Sequence, residues 1–129
     1  MLEASFWKLL QKGLRESGRK IETTRLESWA TPGVPDVLCC NEAGEFSFLE
    51  LKVKRKKITL SAHQISWLLR HGHANCYVVV IDDLNWIHVY AASDAGSLNA
   101  DRHAAVPALG IFTPPYVWPD FWRLTGGDR

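Results

Sequence analysis

Two short stretches of this chain, Gly33-Val34-Pro35-Asp36 and Glu50-Leu51-Lys52, flank a segment that reads as running out and back. That layout limits the fold more than any other feature. Residues 46–53, Phe-Ser-Phe-Leu-Glu-Leu-Lys-Val, alternate so that Phe46, Phe48, Glu50 and Lys52 share one face of a strand. Ser47, Leu49, Leu51 and Val53 take the other face. Val34 to Cys40 is a second apolar run, and Asn41-Glu42-Ala43-Gly44-Glu45 between the two has turn composition. With a turn symmetric about Ala43 and no bulge, Cys40 faces Phe46, Leu38 faces Phe48, and Asp36 faces Glu50.

Side chains directly opposed across a hairpin have Cβ atoms about 4.5–5.5 Å apart, and like charges there repel. A divalent cation would offset the repulsion. Mg²⁺ is commonly held by one or two carboxylates together with phosphate and water. Lys52, two residues on and on the same face, suits a role in polarising an attacking water or steadying developing negative charge. The plain alternative is a hairpin with its charges on a solvated face. Phe46 and Phe48 share that face, which argues that it is partly buried.

A helical pattern over residues 2–16 rests on Leu2, Phe6, Trp7, Leu9, Leu10 and Leu14 and ends near Ser17-Gly18. At about 100° per residue, Glu3 joins Trp7, Leu10 and Leu14 in one stripe, inside the buried arc. This makes Glu3 a candidate third acidic group; equally, it is an acid favoured in a first helical turn. Ser61 to Arg70 reads as a second helix, with Ser61 and Gln64 forming a capping box and Gly72 a stop. Gln64 is open between capping and support of the site. Tyr77 to Ile81 suits a central strand, and Asp82 to Asn85 turns into an added strand over Trp86 to Ala91.

Gly33-Val34-Pro35-Asp36, Glu50-Leu51-Lys52, and Ser61-Ala62-His63-Gln64 with Trp67 together resemble the PD-(D/E)XK nuclease superfamily, in particular its small phage-type, VRR-NUC-like branch. The resemblance spans residues 3–81 in the order helix, three strands, helix, strand. It implies an α/β, restriction-endonuclease-like core, a mixed sheet flanked by helices. It also implies that the Asp36 and Glu50 carboxylates and the Leu51 carbonyl bind Mg²⁺, with Mn²⁺ able to substitute, and that Lys52 acts on the water. Glu3 would match the acid of the first helix, with Glu27 as its rival, and Gln64 a glutamine often found on the second core helix. The implied activity is Mg²⁺-dependent DNA endonuclease, structure-selective on branched DNA. The alternatives are a Holliday-junction resolvase acting as a homodimer, and a non-catalytic DNA-binding module that keeps the fold.

Composition agrees with a compact enzyme: 129 residues, 47% hydrophobic, with six Trp, suit one domain with a core rather than disorder. We read a core over about 1–91 and an aromatic, Pro-rich extension over 92–129. Ser93 to Ala105 has loop composition. The stretch from Pro114 to Trp122 packs over the domain or serves a dimer interface, and Gly126 to Arg129 should fray. Three cysteines, Cys39, Cys40 and Cys76, show neither zinc spacing nor a disulfide framework, and His71 and His73 make no zinc constellation. A reducing cytoplasm follows as the expected compartment. No signal peptide or membrane-length apolar run stands out.

The net charge of +1 is unremarkable for a nucleic-acid protein. Positive charge is concentrated instead in Lys54, Arg55, Lys56 and Lys57, directly after the Glu50 strand. Such a run is commonly just solvated. Beside a metal site it reads as a lip for DNA phosphates.

Overall fold

The computed structural model describes residues 1–26, 31–99 and 105–126. In chain order they form α1 (Glu3–Ser17), β1 (Ile21–Arg25), β2 (Val37–Asn41), β3 (Phe46–Val53), α2 (Ala62–Arg70), β4 (Cys76–Ile81), β5 (Ile87–Ala91), a short 3-10 helix (Ala92–Ser97), β6 (Gly110–Phe112) and α3 (Trp118–Thr125). The strands make a mixed six-stranded sheet in the order β1-β2-β3-β4-β5-β6. Every neighbouring pair is antiparallel except β3 and β4. Those two are linked through α2, the crossover a parallel pair requires. Helix, three strands, helix, strand and an added strand is the expected order.

The β2–β3 hairpin has the register read from its turn, with Cys40 opposite Phe46 and Leu38 opposite Phe48. Asn41 sets that turn. Its Oδ1 accepts the N–H groups of Ala43 and Glu45, both at 3.0 Å, and its Nδ2 donates to Glu45 Oε1 at 3.1 Å. Gly44 supplies the left-handed residue the turn needs, at φ 78°. The ladder is shorter than the apolar run: β2 begins at Val37, leaving Val34, Pro35 and Asp36 in the approach to the strand.

Alternation along the strands sends residues into two cores. Leu49 and Leu51 pack with Val79, Ile81, Ile87 and Val89 beneath α1 and α3. On the other side, Val78, Val80 and Tyr90 pack with Leu68 of α2 and Ala95 and Leu98 near the 3-10 helix, with Phe48 at the margin. Phe46 departs from the expectation of a covered face, being 57% exposed, because it sits next to the hairpin turn beyond the cover that α2 provides.

The C-terminal segment holds more structure than its composition suggested. Ala92–Ser97 is a 3-10 helix rather than loop, whereas residues 100–104 lie outside the described residues. Asn99 imitates a strand partner, accepting from Leu60 N at 2.7 Å and donating to Leu60 O at 3.0 Å, which pins the chain just before α2. β6 extends the sheet beside β5. The aromatic, Pro-rich stretch becomes α3, with Pro119 tolerated in the first turn, where an amide hydrogen has no helical partner. Trp118, Phe121 and Trp122 are core residues. Gly126 does not fray: it is buried, and its N–H donates to Trp122 O at 2.8 Å. Residues 127–129 lie outside the described residues.

Gly13 decides how closely α3 approaches α1. A Cβ at this position would fall 2.1 Å from Trp118 Cδ2. Alanine normally improves a helix by about 1 kcal/mol over glycine, but here the indole fills the space. Gly13→Ala should therefore destabilise the protein, by about 1–3 kcal/mol of overpacking. In denaturant unfolding, Gly13→Ala combined with Trp118→Leu should lose less stability than the two changes summed. A raised midpoint for Gly13→Ala alone would count against this packing.

Candidate active site

Asp36 sits where β2 is about to begin, and two hydrogen bonds hold it. Its backbone carbonyl accepts from Leu26 N at 2.8 Å, and its Oδ2 accepts from Leu51 N at 2.8 Å. The second bond changes the expected picture. Asp36 is opposite Glu50 by register but stands outside the ladder, and its carboxylate takes the place that a backbone carbonyl would fill against β3. Even-numbered residues of β3 direct their backbone groups toward β4, as Phe48 N to Asn75 O and Lys54 N to Ile81 O show, both at 2.8 Å. The N–H and C=O of Leu51 therefore both project toward Asp36.

Glu50 is 1% exposed. Gln64 Nε2 donates to its Oε2 at 3.1 Å, and Lys52 Nζ lies 3.7 Å from the same oxygen. Its Oε1 is buried and has no hydrogen-bond donor among the described residues. Burial above all, and then the Asp36 carboxylate, push the Glu50 carboxyl up to about 9, while Lys52 pulls it down. Lys52 is held in turn by Gln64, whose Oε1 accepts from Lys52 Nζ at 3.1 Å and from Ser61 N at 2.9 Å. Gln64 caps α2 and also contacts both charged residues of the candidate site. Its carbonyl completes the capping box of α2 and anchors the lysine, and its amide holds the buried glutamate.

Gly33 draws the Asp36 approach against this helix. It adopts φ 85°, and a Cβ there would lie 2.2 Å from the His63 carbonyl oxygen. Only glycine permits both the conformation and the contact. Asp36 and Gln64 are thereby carried on segments packed together.

Glu3 is not buried in the helical stripe. Its side chain is 43% exposed at the start of α1, 3.8 Å from Arg25 Nη2. It nonetheless reaches Asp36: desolvation first, then charge and hydrogen bonding from Asp36, raise its carboxyl, against Arg25 and Lys52. Glu3 thus lies at the rim of the acids, and no three His, Cys, Asp or Glu side chains among the described residues form a metal-holding group. Glu27 lies outside the described residues. Lys54 is half-buried and Arg55, Lys56 and Lys57 are exposed just beyond β3. All three cysteines are free thiols. Among the described residues no helix is long and apolar enough to cross a membrane.

Arg25 was not legible as a neighbour of the acids. It pairs with Val37 across β1–β2 and lies 5.8 Å from the Trp7 ring centroid, contacts set by strand pairing rather than by any local motif. A cleft of about 490 Å³ lined by Arg19, Lys20, Asn41 and Glu42 opens at the other end of β2 and holds none of these residues. A buried ionisable carboxyl with a second acid beside it, rather than cleft size, marks the candidate site.

No protein-family model matches the chain, and no curated protein matches its sequence. Among solved structures, the Holliday junction resolvase Hjc of Archaeoglobus fulgidus, an archaeal hyperthermophile, matches with a TM-score of 0.51 and 21% identity, over 69% of this chain and 76% of that one. The likeness is one of fold, and it agrees with the restriction-endonuclease-like α/β core expected from the sequence.

The raised Glu50 carboxyl has a measurable consequence. Between pH 4.5 and about 9, the native state keeps a proton that the unfolded chain has released. Metal-free stability should therefore fall as pH rises through that window. Glu50→Gln should remove this slope and melt higher than the parent, by a margin that widens with pH. A constant or shrinking margin in metal-free melting curves would contradict the burial of this charge.

Proposed function

We propose that the chain is a metal-dependent DNA endonuclease of the PD-(D/E)XK type. The observation that carries this reading is the buried Glu50 carboxyl set against the Asp36 carboxyl, its Oε1 without an N–H donor among the described residues. An ionised carboxylate buried without a donor is costly, and a second carboxylate next to it adds repulsion. A hard cation answers both, and two carboxylate groups with the Leu51 carbonyl form the all-oxygen donor set that suits Mg²⁺ or Mn²⁺. Bound there, Mg²⁺ would polarise a phosphoryl oxygen and lower the pKa of a water.

The chain's own groups divide the remaining work. Lys52 Nζ, tethered to Gln64, orients the attacking water and meets negative charge as it builds on the phosphate. Gln64 fixes Glu50 and Lys52 relative to each other. Glu3 supplies a further acid at the rim, and Lys54, Arg55, Lys56 and Lys57 hold DNA backbone phosphates. The likeness of fold to an archaeal Holliday junction resolvase favours branched DNA as substrate; cutting two strands would call for two sites, as in a homodimer. A DNA-binding module without catalysis is the reading from another class. Plasmid and four-way-junction cleavage with and without Mg²⁺ separates the two.

Asp36→Asn and Glu50→Gln should each abolish cleavage in the folded protein, each removing a carboxylate the cation needs. Lys52→Ala should slow turnover far more than it weakens DNA binding. Cleavage by either acid variant at near the parental rate would sink the assignment, and equal losses of turnover and affinity would make Lys52 a phosphate contact only. Glu3→Gln should lower both the rate and metal affinity; a loss of stability alone would leave Glu3 as a helix-start acid.

Replacing Lys54, Arg55, Lys56 and Lys57 together with alanine should weaken binding similarly across DNA sequences, because flexible point charges carry no base code. The slope of log affinity against log salt should flatten by up to about 0.9 per lost duplex contact. An unchanged slope in titrations at several salt concentrations would place this run in solvent.

A further inference from the structure

Four rings continue from the acids along β3 and α2. Phe46 and Phe48 share the strand face that carries Glu50 and Lys52. Trp67 packs on Phe48 with ring centroids 5.6 Å apart, and His71 stacks on Trp67 at 3.8 Å with 19° between planes. Trp67 and His71 follow Gln64 by one and two helical turns, so they extend the same side of α2 that grips Glu50 and Lys52. His71 Nδ1 lies 2.7 Å from the Trp67 carbonyl oxygen, which makes Nδ1 the donor and leaves Nε2 as the ring's other polar atom. The wall ends in Phe46, an aromatic side chain 57% exposed, whose backbone carbonyl accepts from Asn75 Nδ2 at 3.4 Å.

Resting on the nuclease reading above, we infer that this wall is a stacking shelf for an unpaired base of the nucleic acid whose phosphate lies at Glu50. Phe48 lies two residues and Phe46 four residues from Glu50, about 7 and 13 Å along the strand, so a nucleic-acid strand whose backbone reaches Glu50 brings its next one or two nucleotides past Phe48 to the exposed Phe46. Lys52 and the basic run after it supply phosphate partners at the opposite, C-terminal end of β3, so the acids lie between them and the rings. Aromatic faces hold any base without reading its sequence. A base inside a duplex already has both faces covered by its neighbours. Only a nucleotide freed at a flap, a single-stranded end or a branch point can lie on the shelf, which sets the preferred substrate as DNA with an unpaired nucleotide next to the cleaved bond.

The test compares the parent protein with Phe46→Ser and Phe46→Tyr, changes at an exposed position that spare the core. Binding is measured in EDTA to three DNAs: a fully paired duplex, the same duplex with a flap carrying 2-aminopurine at its first unpaired position, and a four-way junction. Phe46→Ser should bind the flapped DNA about tenfold more weakly or worse, with affinity unchanged for the paired duplex and for a four-way junction whose arms are fully paired. The parent and Phe46→Tyr should quench the 2-aminopurine, and Phe46→Ser should not. Equal losses on all three DNAs, or absence of quenching by the parent, would overturn the shelf. So would a change in sedimentation of DNA-free Phe46→Ser, which would assign the wall to contact with another protein chain. Failure of the nuclease reading has a separate signature, no Mg²⁺-dependent cleavage of any of the three DNAs by the parent. Cleavage that proceeds with no effect of Phe46→Ser would remove the shelf alone.

Discussion

Taking the Glu50 carboxylate out of water is the demand around which the surrounding structure is arranged. An isolated buried charge of this kind costs several kcal/mol unless it is paired, hydrogen-bonded or protonated. The protein answers part of that cost with one amide donor from Gln64 and an ammonium at 3.7 Å, and leaves one oxygen without a donor among the described residues. A fold evolved only for stability would place an apolar residue here, as Leu49 and Leu51 do on the opposite face of the same strand. On the proposed reading, the half-satisfied acid beside a second acid is what a shared cation would settle.

The precision of this arrangement comes from parts remote from the charge. Asn41 closes the hairpin turn and so sets which residues of β2 meet which of β3. Slipping that register by one residue would send Glu50 toward α1 and replace it with Leu49 or Leu51 on the α2 face. Asp36 then substitutes its carboxylate for a ladder partner at Leu51. Gly33 packs the Asp36 approach on the first turn of α2, and Asn99 fixes the chain entering that turn. The cap of α2 and the candidate chemistry share one side chain, Gln64, so helix start and site geometry are not independent.

Fold alone does not assign an activity, since one architecture carries many chemistries. The structural likeness to an archaeal resolvase concerns the sheet and helices. What points to chemistry in this chain is instead a set of ionisable groups whose placement is expensive. The C-terminal segment contributes by a different route: β6 widens the sheet, and α3 closes the face under α1 with Trp118, Phe121 and Trp122. It thereby backs α1, which covers the side of β3 away from the acids.

Local rules were enough for the hairpin, both core helices, the strand faces and the register that brings Asp36 opposite Glu50. Each depends on period, turn composition or capping within a few residues. Gln64 was legible as a cap because Ser61 lies three residues before it; that it also grips Glu50 and Lys52 follows only once α2 lies over β3. The α3 helix was hidden because proline and aromatic residues read locally as irregular chain, and its stability comes from burial against α1 at Gly13. Glu3 failed the helical-stripe argument for a related reason. Periodicity gives the direction in which a side chain points, but how much of it is covered depends on what packs there, and at the first turn of α1 that is Arg25 and Asp36 rather than core. The sequence by itself determined which residues could meet across one turn of chain. Tertiary structure decided which charges lost their water, because burial is a property of elements brought together from distant parts of the chain.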